Sequence, residues 1–246
     1  MSGFKWNRKW FAAMLVVMVI MGATVSGQAQ AGRRRRRESN ANRQARIARS
    51  IEDTYSHRWE LAGGGGYLRF RTGQYNQRSN EITWETSATY NLNPKWSVFG
   101  DIRGMYGNAK INNQINFPVA INGVYRPLIT NYTFMVGPQY RFYAKQKFSA
   151  SAHIIGGLDL GNYDGGTKGI SATTLGLWAT SNRPVVSAGF NLDYNLYPNL
   201  ALRLTPTYVG TMFRGINPST GQADGNLQNN IGVNGAIVFR FGRIRK

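Results

Sequence analysis

The chain has 246 residues, no cysteine and only two histidines, and it carries 30 Lys and Arg against 11 Asp and Glu. These numbers exclude a disulfide framework, thiolate metal sites and a histidine-rich metal centre. They leave room for one all-β domain with appendages. We predict no cofactor and no metal.

The first 31 residues have the three parts of a secretory signal peptide. Basic residues come first, followed by an apolar stretch at 11–25 and the small-x-small motif Ala29-Gln30-Ala31. We therefore predict export, with cleavage after Ala31. The alternative is an uncleaved helical anchor, for which the apolar stretch is short, because a spanning helix needs roughly 20 apolar residues.

Residues 32–58 form a basic arm that we predict to lie in the periplasm and to be disordered or a short helix. Its candidate anion-binding residues are Arg33, Arg34, Arg35, Arg36, Arg37, Arg43, Arg46 and Arg49. One interpretation is a solvated arm. The other is docking on anionic lipid headgroups or on acidic cell-wall polymer, because exposed basic residues are attracted to such surfaces. We predict no nucleic-acid partner, since an exported protein rarely meets one.

From residue 59 onward apolar and polar residues alternate, which is typical of β-strands. Eight runs show this pattern, at 59–71, 81–92, 96–107, 129–143, 148–161, 185–197, 200–213 and 229–241. Tight turns alternate with longer loops between them. This predicts an all-β fold, an eight-stranded antiparallel up-and-down transmembrane β-barrel with short periplasmic turns and longer extracellular loops. The barrel would cover 59–242, followed by a basic tail at 243–246, and both chain ends would lie on the short-turn side.

The alternation also fits a soluble lipocalin-like barrel, in which the apolar face points inward. Three features favour the membrane. The strands exceed the usual soluble length, the predicted inner face is small and polar, and aromatic residues gather in two belts near the strand ends. The predicted girdle consists of Phe70, Tyr90, Trp96, Tyr106, Tyr132, Tyr140, Phe142, Phe148, Tyr194, Tyr208 and Phe239.

Four segments carry a resemblance to a known family. They are Gly63-Gly64-Gly65-Gly66-Tyr67-Leu68-Arg69-Phe70, Thr89-Tyr90-Asn91-Leu92-Asn93-Pro94, Val136-Gly137-Pro138-Gln139-Tyr140-Arg141 and Ile237-Val238-Phe239-Arg240-Phe241-Gly242. In this order and spacing the sequence over 59–242 resembles the OmpA-like outer-membrane β-barrel superfamily. The resemblance implies residence in the outer membrane among its lipids, and insertion by the barrel-assembly machinery, which reads a last strand ending in an aromatic residue.

Strand parity predicts a set of charged side chains inside the barrel. They are Arg69, Glu81, Glu85, Asp101, Arg103, Arg141, His153, Asp159, Asp193, Arg203 and Arg240. Eight strands leave an interior that side chains can just fill, so these charges must pair. We expect one cluster between the second and third strands and another between the sixth and seventh. Arg141, His153 and Arg240 would extend the network.

We favour a structural or surface role for such a barrel, with a small-solute channel as the alternative. An enzyme is the third possibility, and we predict no catalytic residue, because no serine, histidine and acid converge at the long loops. The Gly63–Gly66 run could suggest a phosphate-binding loop. Without a following helix or a Lys-Ser/Thr pair, it instead indicates a strand whose neighbours approach closely.

Overall fold

The structure, a computed structural model, describes residues 39–74, 76, 78–110, 126–216 and 221–244. The predicted signal segment and Arg33–Arg37 lie outside these residues. The chain divides into two units, 1–42 and 43–246. Helix α1, Asn40–Tyr55, begins where the amide of Asn42 donates to Ser39 Oγ at 3.3 Å, the hydrogen bond of a serine N-cap. None of the described helices is long and apolar enough to cross a bilayer.

The strands are β1 Trp59–Arg71, β2 Arg78–Asn91, β3 Trp96–Asn108, β4 Leu128–Ala144, β5 Phe148–Gly165, β6 Ser181–Tyr197, β7 Leu200–Thr211, β8 Gly215–Ile216, β9 Ala223–Asp224 and β10 Gln228–Phe241. The predicted fold class is confirmed, because the eight long strands are antiparallel and close into a barrel in the order β1-β10-β7-β6-β5-β4-β3-β2. The short strands β8 and β9 pair only with each other, in the last long loop.

The connections alternate in length as the sequence predicts. Turns of two to four residues join β2 to β3, β4 to β5 and β6 to β7. At the opposite end of the barrel, the longer loops 72–77, 109–127, 166–180 and 212–227 connect the remaining strands. We call the two ends the short-turn end and the loop end. Helix α1 leads into β1 at the short-turn end, which is also where β10 finishes.

The two faces of the barrel wall differ in chemistry. On β10 every second residue is buried and its neighbours are exposed, and the exposed series includes Ile231, Val233, Ile237 and Phe239. A wall that turns large apolar side chains outward and polar ones inward is that of a membrane barrel rather than of a lipocalin.

The girdle residues lie on the outer face with one exception. Paired rings near the short turns include Trp96 with Tyr140, whose centroids are 4.8 Å apart, and Phe148 with Tyr194 at 5.0 Å. Tyr106 and Tyr132 pair toward the loop end. The assignment of Phe70 to the girdle is wrong, because its side chain is fully buried inside the barrel.

The assignment of Arg69 to the lumen is wrong as well, because its side chain is exposed on the outer face. The glycines that precede it show no alternation of polar and apolar side chains, so the sequence does not fix which residues of this strand face inward.

The glycine run allows close packing of two strands. A Cβ atom at Gly66 would collide with the side chain of Asn234, and one at Gly64 would collide with the backbone of Gly235. Strand β10 can therefore press closely against β1.

Candidate functional site inside the barrel

Glu60 is the centre of a buried charged layer at the short-turn end. Its carboxylate accepts from Arg141 Nη2 at 2.6 Å and from Arg203 Nη2 at 2.8 Å, and Arg240 Nε lies 3.4 Å away. These four residues come from four strands, so one carboxylate ties β1, β4, β7 and β10 together. Charge-assisted bonds of this kind are the stronger hydrogen bonds of a protein interior.

Asp193 is the second anion of this layer. Arg203 donates to it through Nε at 2.7 Å and through Nη2 at 3.0 Å, which is a bidentate contact. Arg240 Nη2 donates to Asp193 Oδ2 at 2.9 Å, the oxygen that also accepts from Arg203 Nη2. Because Arg203 and Arg240 each bridge Glu60 and Asp193, the layer is one connected network and not a set of separate pairs.

Tyr55, at the end of α1, covers this layer. Its hydroxyl donates to the Lys145 carbonyl at 2.7 Å and accepts from Asn195 Nδ2 at 3.0 Å. The Arg141 guanidinium lies 5.0 Å from its ring centre, which is within cation–π range. The last turn of the helix therefore packs onto the network from the short-turn side.

A second charged group lies between β2 and β3. Arg103 Nη2 donates to Asp101 at 2.7 Å and lies 3.4 Å from Glu85. Asn234 Nδ2 also donates to Glu85, and Thr83 Oγ1 donates to the amide oxygen of Asn234 at 2.7 Å. The two groups together contain four arginines and four carboxylates, so their charges balance.

The loop-end half of the lumen is apolar. The expectation of a small and polar inner face is therefore wrong for this half. Its buried side chains come from the strands and from the loops, and they are Leu68, Phe70, Phe99, Met105, Ala109, Ile129, Met135, Ile155, Tyr163, Ala172, Leu175, Leu177, Trp178, Val185, Val209 and Phe213. Apolar packing of this kind keeps water out of the barrel mouth.

The loop 166–180 supplies the plug of this apolar half. Trp178 is 1% exposed, its Nε1 donates to the Arg71 carbonyl at 2.7 Å, and its amide donates to the Thr72 carbonyl at 3.1 Å. Asn76 Nδ2 donates to the Gly176 carbonyl at 3.0 Å. Asp164 holds the base of the loop by accepting from the amide of Ala172. The loop is thus fastened across the barrel mouth to the β1–β2 connection.

Besides Arg69, which lies outside the lumen, three residues assigned to the lumen join no ion pair with the described residues, namely Glu81, His153 and Asp159. Glu81 and Asp159 are fully buried at the edge of the apolar half, and their carboxyl oxygens have no hydrogen-bond partner among the described residues. The His153 ring packs on Phe99 with centroids 4.8 Å apart. Within the described chain, no three His, Asp or Glu side chains converge on a metal position.

The structure thus brings together seven of the eleven predicted lumen residues. Glu85, Asp101 and Arg103 form one group, and Arg141, Asp193, Arg203 and Arg240 form the other. Sequence reasoning missed Glu60. Closure of the barrel could have found it, because the first strand must pair with the last, and that register sets Glu60 opposite Arg240.

The arm residues that the structure describes lie on α1. Arg43, Arg46 and Arg49 are exposed along this helix at three-residue spacing. Toward its end the helix buries Thr54 and Tyr55. Sequence reasoning gave the arm no contact with the barrel, because a single tyrosine after a basic stretch carries no periodic signal.

Neither a protein-family model nor a curated protein matches the sequence. Solved structures do match. The outer membrane protein OprG from Pseudomonas aeruginosa is 10% identical, with 76% of this chain and 98% of that chain covered and a TM-score of 0.51. Neisserial surface protein A is 9% identical, covering 74% and 97%, with a TM-score of 0.48. The protein Ail of Yersinia pestis is 12% identical, covering 76% and 99%, with a TM-score of 0.43.

At sequence identities this low, the matches show a shared fold and do not show a shared function. The match to OprG covers the eight-stranded barrel and is consistent with its closed strand order and apolar outer face. The chain therefore has the fold of the small outer-membrane β-barrels, which is the fold that the OmpA-like resemblance implied.

Proposed function

We propose that the protein is a non-enzymatic outer-membrane barrel with a structural or surface-contact role and a closed lumen. One observation carries the proposal. Buried side chains fill the lumen, as two ion-paired groups whose charges balance in sum and as an apolar plug at the loop end. Eight strands leave no further room for a wide aqueous path.

In this proposal the short-turn end faces the periplasm and the long loops face outward, where they could contact other surfaces. Insertion by the barrel-assembly machinery stays a prediction. Phe241, the last residue of β10, is the aromatic residue that this machinery would read, and Gly242 with a φ of 69° turns the chain away after it.

Planar-bilayer recording tests the closed lumen. The purified wild-type protein should form no large, stable pores. Arg103→Ala and Asp193→Ala each remove one member of an ion-pair group, so both should lower stability and increase conductance. Large stable pores formed by the wild type would reject the closed lumen.

A small-solute channel is the second candidate, and one observation favours it. Besides the carboxyls of Glu81 and Asp159, the buried oxygens of Ser79, Asn131 and Thr133 lack hydrogen-bond partners within the described residues. Thr133 pairs with Asp159 across the β4–β5 ladder, and Ser79 and Glu81 follow each other on the inner face of β2, so in a channel these groups would line a polar track beside the apolar plug. Movement of the loop 166–180 would join that track to the loop end, and solutes of water or small-ion size would pass.

The arm would add a second contact with the envelope. We propose that Arg33–Arg37 and the exposed arginines of α1 dock on anionic lipid headgroups or on acidic cell-wall polymer, at about 1 kcal/mol for each basic residue near such a surface. Binding of the full chain to anionic vesicles should weaken with added salt. It should weaken in the same way when Arg43, Arg46 and Arg49 are replaced by glutamine. If neither added salt nor the substitutions weakened vesicle binding, docking of the arm would be rejected.

A further inference from the structure

Three arginines near the loop end lie on the outer face of the barrel, away from the ion pairs of the lumen. Six of the seven carboxylates of the long strands point into the lumen, namely Glu60, Glu81, Glu85, Asp101, Asp159 and Asp193, and the seventh, Asp164, is exposed near the loop end of β5. At the loop end of β1 and β2, Arg69, Arg71 and Arg78 instead lie on the outer face, where Arg69 and Arg78 are exposed and Arg71 is half-buried. The inward carboxylates are therefore separated from these arginines by the barrel wall.

The strand register brings these arginines together. Arg71 pairs directly with Arg78 across the β1–β2 ladder, and Arg69 lies two residues along β1 on the same face. Like charges directly opposite each other in an antiparallel sheet are destabilising. Within the described residues, the one hydrogen bond to a side chain of this group is the one that Arg71 Nη2 donates to the Gln74 carbonyl, at 2.9 Å. A carbonyl carries no net charge, so the described residues do not offset the repulsion.

The position of Arg69, Arg71 and Arg78 relative to the membrane indicates which groups could offset their repulsion. A belt of tyrosine hydroxyls circles the outer face toward the loop end, where Tyr67 bonds Asn80, Tyr106 bonds Tyr132, and Tyr208 bonds Asn229. Tyrosines of this kind mark the boundary between hydrocarbon and headgroups. Arg69 and Arg71 lie two and four residues beyond Tyr67 on the same face. At about 3.3 Å per residue along a strand tilted by about 40°, they reach roughly 5 and 10 Å above the belt, which is headgroup level.

We propose that Arg69, Arg71 and Arg78 form a binding site for the phosphate groups of an anionic lipid in the outer leaflet. Guanidinium groups match phosphate oxygens in a bidentate geometry. A phosphate between Arg71 and Arg78 turns a repulsive pair into two attractive contacts. This inference rests on the proposed membrane orientation, in which the loop end faces outward, and it is independent of whether the lumen conducts.

The test uses the full chain in nanodiscs of neutral phosphatidylcholine, with and without a phosphorylated glucosamine lipid. Wild-type protein should retain the phosphorylated lipid in native mass spectrometry. The double variant R71Q/R78Q should bind it about 30-fold more weakly, since each basic residue near an anionic surface contributes on the order of a factor of 5. K95Q/K145Q is the matched control, because it removes two exposed basic residues from the short-turn end and should retain the lipid.

A second measurement separates binding from a structural role. In neutral detergent R71Q/R78Q should unfold at the same or a higher temperature than wild type, because like-charge repulsion is relieved. In nanodiscs with the phosphorylated lipid, R71Q/R78Q should unfold at a lower temperature than wild type, because only wild type is stabilised by the bound lipid. Equal lipid retention by R71Q/R78Q and wild type would overturn the site. So would equal protection of wild type by inorganic phosphate or by a soluble sulfated glycan, which would point away from a lipid. If the wild-type protein bound the lipid and also formed large pores, the closed lumen would be rejected and the lipid site would be kept.

Discussion

The two halves of the lumen solve the same filling problem with different chemistry. At the short-turn end, side chains of regular strands form an ion network in which Glu60 and Asp193 share Arg203 and Arg240, and Glu60 also binds Arg141. At the loop end, a loop folds inward and fills the mouth with Trp178 and its apolar neighbours. The first half depends on strand register and the second on where a loop packs.

This difference explains which half holds the barrel and which could respond to its surroundings. Breaking a buried ion pair is costly, because one removed partner leaves the others buried and uncompensated. A plug anchored by one loop can leave without breaking any strand pairing. We therefore expect substitutions in the ion network to affect global stability and substitutions in the plug to affect access to the lumen.

Glu60→Gln should give the largest effect. It removes the charge that three arginines contact, and we expect a loss of about 5 kcal/mol in the free energy of unfolding, at the upper end for buried pairs. Urea titration of the refolded barrel, followed by tryptophan fluorescence, measures it. The matched control is Glu81→Gln, the same chemical change at another buried carboxylate. Equal losses in both variants would mean that the network adds no special stability.

Trp178→Ala comes second. It removes the largest buried side chain of the plug, and we expect a loss of about 3 kcal/mol, limited because the loop can partly reseat. The stronger signature is local, since proteases should cut the loop 166–180 faster while the barrel stays folded. Trp178→Phe keeps an aromatic ring but loses the hydrogen bond to the Arg71 carbonyl, so its loop should be cut at a rate between those of wild type and Trp178→Ala. Unchanged cleavage in Trp178→Ala would show that this side chain does not hold the plug.

Glu81→Gln should act in the opposite direction to Glu60→Gln. The Glu81 carboxyl is buried, accepts no hydrogen bond from the described residues, and lies in the field of Asp159. Neutralising an unpaired buried carboxyl removes a desolvation cost, so we expect a gain of about 1 kcal/mol in the same urea titration. A destabilised variant would indicate that Glu81 is held by a bound cation or by the polar track of a channel.

The ion network was largely predictable and the plug was not. Two-residue periodicity places Asp101, Arg103, Asp193 and Arg203 on the inner face, and depth counted from the short turns places them at matching heights. The same rule failed for Arg69 and Phe70. Near the loop end the wall rises beyond the hydrocarbon, so an arginine can face outward and a phenylalanine can pack against the plug. Polarity then no longer reports which side a residue faces.

No comparable rule finds Trp178. It lies in a long loop without periodicity, and its burial depends on how that loop folds over the barrel mouth. The glycines with positive φ that shape the loop, Gly166, Gly169 and Gly176, are visible in the sequence. Turn residues of this kind indicate a bend, but they do not indicate the direction in which the loop then packs.

Tyr55→Phe should give an effect as small as that of Glu81→Gln, and it tests how the helix packs onto the ion network. The variant keeps the ring near Arg141 and removes the hydroxyl that donates to the Lys145 carbonyl and accepts from Asn195. Asn195 also accepts a hydrogen bond from Arg240 at 2.7 Å, so losing the Tyr55 hydroxyl should also loosen a residue that contacts the ion network. We expect a loss of about 1 kcal/mol, the net value of a typical hydrogen bond. Amide exchange over Ser50–Tyr55 should accelerate, while Arg43–Arg49, farther from the barrel, should exchange as in wild type. Tyr55→Ala also removes the ring and should cost more. If neither variant changes exchange in the last turn of α1, the helix does not depend on Tyr55 for its packing, and the ion network is closed by the strands alone.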